Sequence, residues 1–228
     1  MEQFDINMLL AFNGSDSLLW DSIVSMLTNG IAWLPLYVAL LYLVIRNNET
    51  MGQILLIVFS AMLCLLLSGG VDTLLIKPLV GRIRPCYDPQ LFGQIATVGP
   101  LKDGLYSFFS SHAANTFSLA VFFSLLVRSR LFTATMVIWS LFCCYTRLYL
   151  GMHYPSDIMA GLLWGAVVGV VVYIAFLYVY NRISPAIEYV STQYTSTGYS
   201  FVDVDVVVAF ALLPVLASIV CSLFVLYQ

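Results

Sequence analysis

The chain has 228 residues, 61% of them hydrophobic and only 9% charged, where soluble domains carry about a quarter charged. A mean hydropathy of +0.94 makes lipid the natural solvent. The net charge of −3, with nine Lys/Arg, argues against a nucleic-acid partner. The five cysteines (Cys64, Cys86, Cys143, Cys144, Cys221) show neither a disulfide framework nor zinc spacing.

In chain order, residues 1–21 read as interfacial helices. An apolar stretch at Met8–Phe12 is broken by Asn13-Gly14, and Ser15-Asp16-Ser17 are capping residues before Leu18. The acidic start, with Glu2 and Asp5, lacks the basic region of a cleavable signal peptide. Six stretches then avoid charge: Ser22–Ile45, Thr50–Val71, Ala113–Val127, Leu131–Thr146, Ile158–Tyr180 and Val206–Gln228. A crossing helix needs roughly 20 apolar residues. The third and fourth fall short, and cross only if their polar ends, His112 and Arg147, lie at membrane depth. Pro35 is expected to kink the first span. The 85–107 stretch, with Pro85, Pro89, Gly93, Gly99, Pro100 and Gly104, reads as a long loop with some helix, and 183–205 as a polar surface loop or strap. The expected fold is all-α: one membrane-embedded domain, a bundle of six transmembrane helices.

Six spans put both termini on one side, with Lys77, Arg82, Arg84, Lys102 and Arg147; the other side carries Arg46, Arg128, Arg130 and Arg182. If Lys77, Arg84 and Arg147 belong to a site, the remaining basic residues make the second group cytoplasmic. The termini and chemical loops then face outward.

The chain's two histidines, His112 and His153, stand where apolar runs begin. Lys77 and Arg84 are two helical turns apart and share a face if the helix continues. Ser110-Ser111-His112 opens the third span, Thr146-Arg147 closes the fourth, and His153-Tyr154-Pro155-Ser156-Asp157 opens the fifth, with Asp157 in the first turn near His153. Lys77, Arg84 and Arg147 exceed the nearby carboxylates Asp157 and Asp72, so an anion is the missing partner, and arginine forks suit phosphate. Ser110 and Ser111 add hydroxyl and N–H donors at a helix start. A histidine backed by a carboxylate is an oriented nucleophile, and the second is a general acid. No Asp/Glu/His cluster has metal spacing, so neither a metal nor another cofactor is expected.

Each residue also has a plainer reading. Lys77 and Arg84 alone would be snorkelling interface residues, and Arg147 a headgroup contact. Asp72 reads as a structural partner, Arg82 as a headgroup or solvent residue out of phase with both motif cations, and Asn115 as a helix–helix hydrogen-bonder.

Three segments decide between the readings: Lys77-x6-Arg84-Pro85, Phe109-Ser110-Ser111-His112, and Thr146-Arg147-x5-His153-x3-Asp157. Together they resemble the motifs of the type 2 phosphatidic acid phosphatase superfamily, Lys-x6-Arg-Pro, Pro-Ser-Gly-His and Ser-Arg-x5-His-x3-Asp. The likeness covers a catalytic core of about residues 50–180. Phe109, Ser111 and Thr146 depart from the family's Pro, Gly and Ser. The resemblance implies that His153 attacks phosphorus and forms a phosphohistidine, with Asp157 holding its imidazole. It makes His112 the general acid and then base, and gives Lys77, Arg84, Ser110, Ser111 and Arg147 the phosphate oxygens.

The implied activity is hydrolysis of a lipid phosphate or diphosphate in a bacterial inner membrane. Undecaprenyl diphosphate ranks first and lipid A second, followed by phosphatidylglycerophosphate and phosphatidic acid. A soluble-substrate phosphatase would not explain a site at the membrane edge, and a catalytically silent lipid-binding or transport protein would be expected to lose His153, His112 or Asp157. Nothing in the sequence sets an oligomeric state.

Overall fold

Local sequence signals set most helix ends. In the computed structural model, which describes residues 2–98, 104–183 and 192–226, helix α1 spans Glu2–Phe12 and the chain reverses at Gly14, whose φ of +66° favours glycine. The Ser17 side chain accepts the Trp20 N–H and starts α2, Leu18–Leu27.

The first expected span is not one helix. After Thr28, Asn29 caps a short 3-10 turn, Gly30–Trp33, that leads into α3, Leu34–Arg46. The two arms meet at 72°. Pro35 is not the cause, because it lies in the first turn of α3, where a missing N–H costs nothing. The break is the side-chain cap at Asn29.

A Thr50–Gln53 capping box opens α4, Met51–Val80. This helix runs past Val71, through π-turns at Leu66–Gly70 and Asp72–Ile76, and stops at Gly81, φ +63°. The remaining helices are α5, Ser111–Val127; α6, Arg130–Tyr149; α7, Pro155–Ile183; and α8, Phe201–Leu226. Helix α8 starts earlier than expected, because Asp203 is satisfied by Tyr42 and Asn47, and the Asn47 side chain also accepts the Ser200 N–H. Tyr199, just before it, is buried rather than part of a surface loop. Of the two loops expected from sequence, residues 99–103 and 184–191 lie outside the described residues.

This is a multi-pass membrane protein. Among the described residues, four helices (α4, α6, α7, α8) are long and apolar enough to cross, and the bent α2–α3 pair makes a fifth if it counts as one span. Helix α5 is a shorter apolar helix of 17 residues. Leu43, Ile57, Phe122, Phe132, Met136 and Val207 fill the core, while Leu55, Leu163 and Phe224 point outward, as a lipid-facing surface requires.

The seam between α5 and α7 positions the site. Gly161, Gly165 and Gly169 form a stripe at i, i+4 spacing. A Cβ on them would lie 2.7, 2.5 and 2.8 Å from the carbonyl oxygens of Ser110, Ala114 and Ser118. Only glycine permits this backbone approach. It brings the start of α5 against the start of α7, where the Ser110 N–H donates to the Asp157 carbonyl at 3.1 Å.

Candidate active site

All eight residues singled out by the sequence belong to elements that meet at one end of the bundle, linked by a chain of contacts. His153 is 1% exposed, and its Nδ1 lies 3.8 Å from Asp157 Oδ2. Pro155 starts α7, so Asp157 falls in its first turn and also accepts the Tyr154 N–H at 3.0 Å. Arg84, 4% exposed, reaches the carbonyl of Met152, the neighbour of His153, at 3.4 Å. Arg147, 3% exposed, closes α6, and its carbonyl accepts the Met152 N–H at 3.0 Å.

Lys77 comes from the last turn of α4. Its Nζ is 3.2 Å from Asp72 Oδ2 and donates to Ser111 Oγ at 2.8 Å. Residues five apart do not share a face of an α-helix, but a π-turn brings i and i+5 together. The π-turn at Asp72–Ile76 is therefore what pairs Asp72 with Lys77. Ser111 Oγ donates in turn to Asp72, and the Phe109 N–H donates to the other Asp72 oxygen at 3.1 Å. Two of the three departures from the motifs thus converge on one carboxylate. A proline at 109 has no N–H to give, and a glycine at 111 has no hydroxyl. Ser111, expected to hold phosphate, spends its proton on Asp72 and its lone pair on Lys77. The third departure, Thr146, donates to the Cys143 carbonyl at 2.7 Å, a bond inside its own helix. Ser110, fully buried, caps α5, and half-buried His112 is the second residue of that helix.

Lys77 and Arg84 do not share a helix face, because the helix ends at Gly81. Residues 82–84 run extended instead, paired with 105–107: the Arg84 N–H donates to the Leu105 carbonyl at 3.1 Å and the Ser107 N–H to the Arg82 carbonyl at 2.8 Å. In extended chain, i and i+2 point the same way, so Arg82 enters the site beside Arg84 and is not the headgroup or solvent residue expected. Its Nη1 donates to Asp157 Oδ1 at 2.7 Å and its Nη2 to Asp5 Oδ2 at 2.9 Å. Its guanidinium lies 3.9 Å from the Tyr154 ring centre. Burial pushes the Asp5 carboxyl up, but hydrogen bonds from Ser156 and Arg82 outweigh it and hold the group below the usual carboxylate range.

The sequence reading missed Asp5, Arg82 and Thr28, whose hydroxyl takes the Arg147 Nη1 at 2.9 Å. Gly81, a C-terminal helix stop in plain view, could have exposed the phase argument against Arg82. Asp5 left no signal, being 151 positions from its partner Ser156. Asp72 and Asn115 sit as structural partners, Asn115 accepting from Ser68 at 2.6 Å. Among the described residues, no three His, Cys, Asp or Glu side chains converge to hold a metal ion.

The chain is 35% identical to the lipid A 4'-phosphatase of Bacteroides thetaiotaomicron over 166 residues, 72% of this chain and 73% of the relative. It is 32% identical to the lipid A 4'-phosphatase of Porphyromonas gingivalis over 178 residues, 77% and 74% of the two chains. No solved structure gives a significant match. The profile of the PAP2 superfamily matches residues 53–183, the stretch that holds the three motif segments, and with the two relatives it shows that the chain belongs to the PAP2 superfamily.

Proposed function

We propose that this membrane phosphatase removes a phosphate monoester from lipid A by way of a phosphohistidine. The observation that carries the chemistry is the buried His153–Asp157 pair, met at one end of an apolar bundle by Arg84, Arg147 and Lys77. Nδ1 of His153 faces Asp157, so Nε2 is the atom left to attack. A bond forms from Nε2 to phosphorus as the bond to the lipid oxygen breaks, and His112 gives that oxygen its proton. Water, deprotonated by His112, then cleaves the N–P bond and releases phosphate. Lys77, Arg84, Arg147 and the first turn of α5 with Ser110 balance the charge on the equatorial oxygens. Those fixed cations are asked to do what a metal ion does elsewhere.

The names of the two relatives favour lipid A over undecaprenyl diphosphate, which the sequence alone ranked first. We place the site on the periplasmic face of an inner membrane, with six crossings that include α5. Arg46, Arg128, Arg130 and Arg182 lie at the other ends of the helices.

Phosphate release by purified protein in detergent tests the reading, with lipid A, undecaprenyl diphosphate, phosphatidylglycerophosphate and phosphatidic acid as substrates. Lipid A should turn over fastest, excess EDTA should leave the rate unchanged, and vanadate should inhibit. Preference for the diphosphate would overturn the substrate, and an activity abolished by chelator and restored by magnesium would overturn the mechanism.

A further inference from the structure

We propose that Asp5 and Arg82 are positioning residues for the nucleophile, so that the N-terminal helix is a working part of the catalytic centre. The inference rests on the phosphohistidine reading and goes beyond it, because Asp5 lies outside the stretch matched by the family profile, residues 53–183.

The geometry is a relay of three charges. Arg82 uses one nitrogen, Nη1, for Asp157 Oδ1 at 2.7 Å and Ser156 Oγ at 2.8 Å, and the other, Nη2, for Asp5 Oδ2 at 2.9 Å. The Tyr154 ring covers its face. Asp5 closes the loop by accepting the Ser156 N–H at 3.1 Å and the Ser156 hydroxyl. The guanidinium is thereby held at its edge by Asp157, Ser156 and Asp5 and on its face by an aromatic ring. Asp157 is fixed in turn, one oxygen by Arg82 and the other by the Tyr154 N–H, and this second oxygen is the one turned to His153 Nδ1.

Electrostatics explains why a second carboxylate is needed. Asp157 is fully buried, and burying its charge is costly without a cation. An arginine committed to Asp157 alone would cancel the negative charge that steadies the imidazolium-like state of His153. Asp5 draws off part of the Arg82 charge, and the trio Asp5–Arg82–Asp157 carries a net charge of about −1 next to the nucleophile. Tyr154, whose phenol burial and Asp88 push up, stays protonated and donates to Asp88 at 3.0 Å, so it adds no charge. Among the described residues, the other charged and titratable groups at this end of the bundle include Lys77 with Asp72 from α4, Arg84 from the extended segment, Cys86, whose N–H donates to the Gly151 carbonyl, Arg147 from α6 and His112 from α5.

The test is the pH profile of kcat/KM on an aryl phosphate, in detergent, for Asp5→Asn, Arg82→Gln and the double variant. The acid limb reports the loss of the neutral, attacking imidazole. Removing the Asp5 charge should lower the His153 pKa and move the limb to lower pH. Removing Arg82 should move it to higher pH, by about one unit, and lower kcat by about tenfold with little change in KM, as loss of an orienting partner does. The double variant, neutral in sum, should return the limb close to its wild-type position. A merely structural role predicts lost activity with the limb unmoved, and that result, or shifts in the same direction, overturns the relay. Asn at position 5 keeps the shape of Asp and can still accept from Ser156. A wild-type thermal midpoint certifies its fold, and the Arg82→Gln shift stands as an independent arm. Quench-trapping of labelled phosphate on the wild type separates the two failures: no phosphohistidine sinks the underlying reading, whereas a trapped phosphohistidine with unmoved limbs sinks only the relay.

Discussion

Both ends of the bundle carry arginine, and burial is what distinguishes them. At the far end Arg46, Arg128, Arg130 and Arg182 are all exposed, and Arg182 lies over the ring of Tyr178, one turn back on the same helix. At the site end Arg84 and Arg147 are almost wholly buried, held by the Met152 carbonyl and the Thr28 hydroxyl. An exposed arginine at a membrane boundary costs little and sets topology. A buried one is expensive and survives only where something is gained from it. A count of basic residues sees the two ends as nearly equal, and only their solvation separates orientation from chemistry.

The comparison can be broken at several points, most severely within the site. His112→Ala should slow lipid turnover by about 10²- to 10⁴-fold, because an alkoxide leaving group needs its proton. In kcat/KM, which reports phosphoryl transfer to the enzyme, the loss should be much smaller on an aryl phosphate, whose leaving group is a weak base; equal losses in kcat/KM on the two substrates would remove His112 from the role of general acid.

Next comes the seam that brings the loops together. Gly165→Val would push its side chain into the backbone of Ala114, at distances of 2.5 and 3.1 Å even for the first carbon. Overpacking of this kind costs about 1–3 kcal/mol, and it should lower the thermal midpoint and the activity together. The same substitution at the outward-facing Leu163 should do neither.

A smaller effect is expected where the motif departs from the family. Ser111→Gly restores the usual residue yet removes the hydroxyl shared by Lys77 and Asp72. KM should rise about tenfold, the worth of one charge-assisted hydrogen bond. An unchanged or improved KM would show that Lys77 needs no such support. The smallest effect belongs to the far end: Arg130→Gln should leave kcat/KM within about twofold, since exposed charges contribute little. A large kinetic loss there would dissolve the contrast between the two ends.

Much of this was legible in the sequence, for physical reasons that can be named. Charge-free stretches located the helices because lipid enforces apolarity, and caps at Ser17 and Thr50 marked ends because helix termini need partners. The candidate site was legible as a set of residues because Lys77, Arg84, Arg147, His153 and Asp157 stand at long, strict spacings. What escaped were features set by backbone geometry. The π-turn before Lys77 leaves no residue signature, and the stop at Gly81 turned Arg82 from an out-of-phase helical residue into a neighbour of Arg84 on an extended strand. The break at Asn29 went unseen because Pro35 offered a more familiar explanation. Asp5 could be placed only by the fold, which brings the first helix to the start of α7.

The central claim is that His153 becomes phosphorylated, and trapping that intermediate tests it most directly. Lipid A labelled in its phosphate should be mixed with enzyme and quenched without acid, and the labelled residue identified by mass spectrometry. The account predicts label on His153 in the wild type, none in His153→Ala, and accumulated label when His112→Ala is given an aryl phosphate, because the water that cleaves the N–P bond then lacks its base. Label on His112, or continued turnover of lipid by His153→Ala, would contradict it.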